Sequence, residues 1–179
     1  MSIKIKENLD LNFENIIDKE KDFFLTFNYT KTLEKLYKPQ NICHIHGTAE
    51  KIIFGHGNIN NDTDYIQRYW FGAETFLNRL KRGLFKDTNQ AYLDNINFFK
   101  TIEQIAKKEQ VNIYSYGFSF SNVDRLYIQK ICEIIKNPNS IFYLFDYDNK
   151  EQRAKFTNII EDCGFKGIIS SFNFKTVRN

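Results

Sequence analysis

Residues 24–30 read FLTFNYT and residues 42–47 read ICHIHG, and the fold turns on how these two stretches are read. Each is a run rich in β-branched and aromatic residues that breaks off in polar residues or glycine, the pattern of a buried strand leaving its sheet. Between them Thr30 stands at a capping position, Leu33, Leu36 and Tyr37 fall on one helical face, and Pro39 forbids continuation. The unit is therefore strand, short helix over 31–37, strand. Asn28 and His46 then sit where consecutive strands end, and in open α/β folds ligands bind in the crevice at such ends. An amide and an imidazole placed there are candidates for one shared site.

The same alternation runs on through the chain. Strands are expected at 23–27, 41–45, 51–54, 111–116 and 141–145. Ser121 and Asp124 have capping-box spacing ahead of a helix carrying Val123, Tyr127, Ile131 and Ile134, and a last helix over 148–163 is ended by Gly164. Residues 59–110 are polar with helical periodicity and read as two helices parted near Gly83, a helical lid or insertion over the crevice, with Trp70 and Phe71 read as core. Apolar strands alternating with helices imply an α/β fold with a largely parallel sheet flanked by helices. Residues 1–21 form a charged lead-in, and residues 22–179 form one domain.

Composition narrows the function. The chain has 25 basic and 22 acidic residues, a net charge of +3, too balanced for a surface that tracks nucleic-acid phosphates. Its 18 Phe and 10 Tyr call for an aromatic-rich core. Cys43, Cys132 and Cys163 are odd in number and widely spaced, encoding neither a disulfide framework nor a cysteine metal site. With no signal-peptide pattern and no stretch of membrane-span length, a reduced, cytoplasmic setting without membrane contact is expected. His44, His46 and His56 lie close in sequence, but Glu50, Asp62 and Asp64 all fall in loops, so no metal is expected.

FNYTKTLEKLY at 27–37, HIHG at 44–47, IIFGHGN at 52–58 and YSYGFSFSNVDRLYI at 114–128 resemble, in the right order, successive motifs of the AbiH abortive-infection proteins. These are distant members of the sirtuin-like (SIR2-like) superfamily, and the resemblance covers about residues 23–135. It implies a Rossmann-like sheet facing a nucleotide crevice and a role in bacterial defence against phage. Residue by residue, it implies that Asn28 lies by the nicotinamide ribose and that His46, followed by Gly47, acts on ribose hydroxyls. Gly117, Ser119 and Asp124 match the later loop that approaches the nucleotide, and Thr26 and Tyr29 flank the asparagine in the same crevice. One departure stands out: the strand and glycine-rich turn with which the family opens does not precede Phe23, so the chain reads as the C-terminal part of the family fold.

The expected function is thus that of an AbiH-type phage-defence protein whose crevice binds, and cleaves, NAD or a related nucleotide. The alternative is a non-catalytic interaction module that pairs with a protein partner or with a second copy. A weaker alternative is a histidine-based metal-dependent hydrolase.

Overall fold

The computed structural model describes residues 13, 16–53, 55, 86–145 and 149–173. The first unit is β1 (Phe23–Thr26), α1 (Thr32–Leu36) and β2 (Asn41–His44), the two strands pairing in parallel with Thr26 opposite His44. Thr30 does not cap α1 as expected. Its hydroxyl lies 2.9 Å from that of Thr32, and the N-cap position falls to Lys31, which makes no side-chain cap bond.

A tight antiparallel hairpin follows, β3 (Gly47–Thr48) with β4 (Lys51–Ile52). Gly47 is obligatory there, because its φ of +77° is left-handed and a Cβ would run into the carbonyl oxygen of Lys51. The expected strand over 51–54 is real but short, and its partner is this hairpin arm.

Two helices, α2 (Thr88–Asp94) and α3 (Ile96–Ala106), precede β5 (Asn112–Ser115). Of the lid expected over 59–110, the described part packs one face inward, Ala91 and Phe99 being fully buried with Cys43 and Ile45. The break between these two helices lies at Asn95, whose side-chain amide caps the Ala91 carbonyl. Gly83, Trp70 and Phe71 lie outside the described residues. Then come α4 (Arg125–Ile134), β6 (Ile141–Phe145), α5 (Lys150–Asp162) and β7 (Ile168–Phe172). Strands β5, β6 and β7 form a parallel sheet in that order.

The molecule is thus α/β with small parallel sheets, as the alternating pattern requires. Strand β6 alternates: Phe142 and Leu144 face the core, whereas Tyr143 and Phe145 lie on the opposite face with Tyr114 and Phe172. The inner face packs on Ile128 and Cys132 of α4 and on Phe156 and Ile160 of α5. Helix α4 also serves the first unit, because Tyr127 is buried with Cys43, Ile45 and Phe99, and Ile131 and Ile134 touch both clusters. One helix therefore contributes to the hydrophobic clusters behind both parallel sheets. Among the described residues no helix is long and apolar enough to cross a membrane.

Candidate functional site

The end of β1 is held by its own side chains. The hydroxyl of Thr26, buried, accepts the amide of Asn28 at 3.2 Å, and the carbonyl of Asn28 accepts the Nδ1–H of His44 at 3.0 Å. A carbonyl can only accept, so Nδ1 of His44 carries the proton, and Nε2 faces Glu34 of α1 at 2.7 Å. Glu34 sits below the usual carboxylate range: burial opposes this, and its own backbone amide together with His44 outweighs it. The result is an exposed Asn28 on a backbone fixed from both sides.

His46 stands two residues beyond β2, as Asn28 stands two beyond β1, so each follows the end of one of two adjacent parallel strands. The imidazole is 6% exposed. Phe27 meets it edge-on at 5.2 Å, and the rings of Tyr127 and Tyr29 lie 5.8 and 6.3 Å away. Its Nε2 lies 2.9 Å from Oδ1 of Asp124 and 2.5 Å from Nζ of Lys86, and that ammonium lies 3.5 Å from the same carboxylate oxygen. Lys86 is 4% exposed, so a histidine, a carboxylate and a lysine share one dry corner.

Local sequence explains how each member arrives. Asp87 caps α2 by accepting the amide of Gln90 at 2.8 Å, which fixes the chain just where Lys86 leaves it. Asp124 is the residue at the head of α4, yet its side chain makes no cap bond. The capping box expected of Ser121 and Asp124 is therefore not formed. Instead the Ser121 hydroxyl donates to Oδ2 of Asp124 at 2.7 Å and leaves Oδ1 turned toward His46 and Lys86.

Electrostatics follow burial. Desolvation pushes the Asp124 carboxyl up, but the His46 ring, the Ser121 hydroxyl and the Lys86 charge together hold it below its ordinary value. Desolvation pulls Lys86 down, and the Asp124 charge works against it. Tyr127 adds a cost: its hydroxyl is buried with no hydrogen-bond partner among the described residues, and burial, with Asp124 nearby, raises its pKa strongly.

The loop after β5 joins the site through aromatic contacts. Phe118 packs on Phe27 at 4.3 Å, while Phe120, at a left-handed φ of 51°, stacks on Phe156 at 4.6 Å. The two rings pin the loop from either side and leave Gly117 and Ser119 exposed, with open space where a Gly117 side chain would be. A left-handed phenylalanine is a strained residue held by its surroundings, a condition that clusters at functional loops.

Of the residues singled out in the sequence, His46 and Asp124 meet at this corner, Asn28 is exposed beyond the end of the neighbouring strand, and Gly117 and Ser119 flank Phe118, which packs on Phe27. Thr26 and Gly47 are occupied by the backbone, in the β1 turn and the hairpin. Tyr29 lies near His46, and its carbonyl accepts the amide of Ala49. His44 and His46 engage separate partners, and no group of metal-ligating side chains occurs among the described residues; His56 lies outside them. Sequence reasoning missed Lys86, whose only mark is a lysine immediately ahead of a capping aspartate. A family model described as bacteriophage abortive infection AbiH matches residues 1–146. No curated protein and no solved structure matches the chain.

Proposed function

This chain belongs to the AbiH family of bacteriophage abortive-infection proteins, and on that premise we propose that it serves phage defence by acid–base chemistry on a ribose-bearing nucleotide, NAD or a relative. The nucleotide enters as substrate at the strand ends of a Rossmann-like crevice. Cleaving a nicotinamide–ribose bond passes through an oxocarbenium-like state, which calls for an amide to hold ribose or water and a group near neutrality to move a hydroxyl proton. Asn28 supplies the amide and His46 the proton-moving group. Asp124 orients the imidazole, and the exposed Gly117 and Ser119 leave room for the sugar.

One observation carries this reading: the imidazole of His46 is clamped at Nε2 by Asp124 at 2.9 Å, next to the strand end that bears Asn28. A histidine gripped at one nitrogen by a buried carboxylate is the general arrangement of an acid–base residue. The test is NAD loss by the purified chain against His46→Ala and Asn28→Ala. Loss in the wild type that falls at least a hundredfold in His46→Ala is expected, within the range general acid–base groups contribute. Equal loss in all three proteins would end the catalytic assignment.

A second reading, an interaction module that pairs with a second copy, is favoured by Tyr114 and Ile168, which are 41% and 54% exposed on the same face of the β5–β7 sheet. Light scattering on the eluting protein separates the two: this reading expects a dimer that Tyr114→Lys converts to monomer, and a wild-type monomer at high concentration removes it.

A further inference from the structure

His44 engages a different partner with each of its ring nitrogens. Nδ1 lies 3.0 Å from the carbonyl oxygen of Asn28, and Nε2 lies 2.7 Å from Oε1 of Glu34. A carbonyl oxygen and an ionised carboxylate both offer lone pairs only, so each contact asks the ring for a hydrogen. A neutral imidazole has one N–H and can answer one of them. With that hydrogen on Nδ1, a bare Nε2 would meet the carboxylate lone pair to lone pair. We propose that His44 is the charged clasp of the Asn28 turn: an imidazolium that donates to Asn28 and Glu34 at once and so ties the strand end displaying the amide to α1.

Glu34 places the second proton on the ring rather than on the carboxyl. Burial pushes that carboxyl up, but its own backbone amide, His44 and the Lys31 charge together hold it below its ordinary value. Its Oε2 is buried with no hydrogen-bond partner among the described residues, so the carboxylate is met at Oε1, where the ring stands. Helix α1 gives an independent reason for a clasp. It is five residues long, none of them buried, and its N-cap Lys31 makes no side-chain cap bond. Its polar ties run from Glu34 to His44 and from Lys31 to Glu50, the latter at 2.9 Å. The charged groups on the α1 side of the ring are thus Glu34 and Lys31; toward β1 it meets Thr26 across the ladder and the Asn28 carbonyl, both uncharged.

This inference deepens the proposed function and rests on Asn28 being the amide that holds ribose or water. His44 is then a positioning residue, acting on substrate only through the backbone of residue 28. Loss of the ring charge as pH rises removes the Nε2 hydrogen, sets two lone pairs against each other, and loosens α1 and the turn together.

The test contains no nucleotide. Long-range proton–nitrogen correlation on the ¹³C,¹⁵N-labelled full chain reads both ring nitrogens of His44 across a pH series, and the amide signal of Tyr29, which shares its peptide with the Asn28 carbonyl, reads the turn. In the wild type both nitrogens should carry protons at a pH of about 6, above the carboxylate range. The Tyr29 signal should then move at the pH where Nε2 loses its proton. Glu34→Gln, whose amide can donate to a bare Nε2, should lower that pH by about 1. A ring that titrates at one pH in both proteins, a Tyr29 signal that does not follow the ring, or a single ring proton in the wild type at a pH of about 6 overturns the proposal. Should Glu34→Gln fail to fold, the wild-type series decides through the last two outcomes. A chain that leaves NAD untouched can show the whole pattern, so failure of this inference and failure of the nucleotide reading are told apart.

Discussion

Asp124 occupies the head of α4, where a carboxylate ordinarily turns back to the first helical amides, yet it reaches across to His46 and Lys86. Sequence spacing alone favours the cap, because S-x-x-D ahead of an apolar run satisfies it locally. What spacing cannot register is a buried lysine from a distant segment, and that cation outbids the amides. The same blindness hid Lys86 itself, which shares its chemistry with every solvated lysine of the chain. Asn28 and His46 were legible because their placement follows from strand ends, a local property. The lowered pKa of Asp124 has a pH signature of definite sign. A carboxyl whose folded value lies below its unfolded one adds stability above the ordinary carboxylate pKa and loses it as pH falls through the folded value. The stability gap between wild type and Asp124→Asn, measured by urea unfolding, should therefore shrink as pH falls from about 5 toward 2. A gap that stays constant over that range would contradict the ionised, charge-paired carboxylate.

Elements divide by how local their causes are. Strand β6 falls at 141–145, where a five-residue apolar run between turn residues placed it, and α5 ends at Asp162, capped by Cys163, with Gly164 at a left-handed φ of 88°. By contrast, β7 (IISSF) has three exposed residues, two of them serines, so it reads as a loop until β6 offers its edge. The β3–β4 hairpin has two residues to an arm and no periodicity to read. Helix α5 also starts with a device the sequence carried unremarked: Asn149 accepts the amide of Gln152 at 2.8 Å, and the Gln152 side chain accepts the Asn149 amide in return. Both bonds satisfy orphan amides of a first turn. Asn149→Ala should cost about 1 kcal/mol, a fall of roughly 2–4 °C in Tm for a chain of this size. An unchanged Tm would mean that the packing of Phe156 and Ile160, rather than the cap, fixes the start of α5.

At the scale of the whole molecule, the aromatic surplus read from composition becomes several groups of ring contacts, one of which runs through the site. Phe27 touches His46, Phe118 and Tyr127, and Phe120 links that group to Phe142 and Phe156. The α/β alternation was legible, since it follows from hydrophobic period. That a single helix, α4, belongs to both hydrophobic clusters was not, because the residues that divide it, Tyr127 on one side and Ile128 and Cys132 on the other, are alike in apolar character. The site lies where the two clusters meet, so its geometry depends on both being intact.

The three thiols turn that dependence into something that can be timed. Burial pushes Cys43 up to about 11 and Cys132 up to about 12, and raises Cys163 as well, so none presents a reactive thiolate while the chain is folded. Cys43 sits in one cluster, Cys132 and Cys163 in the other. A thiol-reactive dye added in sub-denaturing urea, followed by peptide mass spectrometry, would clock the opening of each half by its own internal stopwatch. Because α4 is common property, all three cysteines should take up label at one rate. Faster labelling of Cys43 would reveal halves that breathe separately, with the corner of His46, Lys86 and Asp124 riding on the looser one.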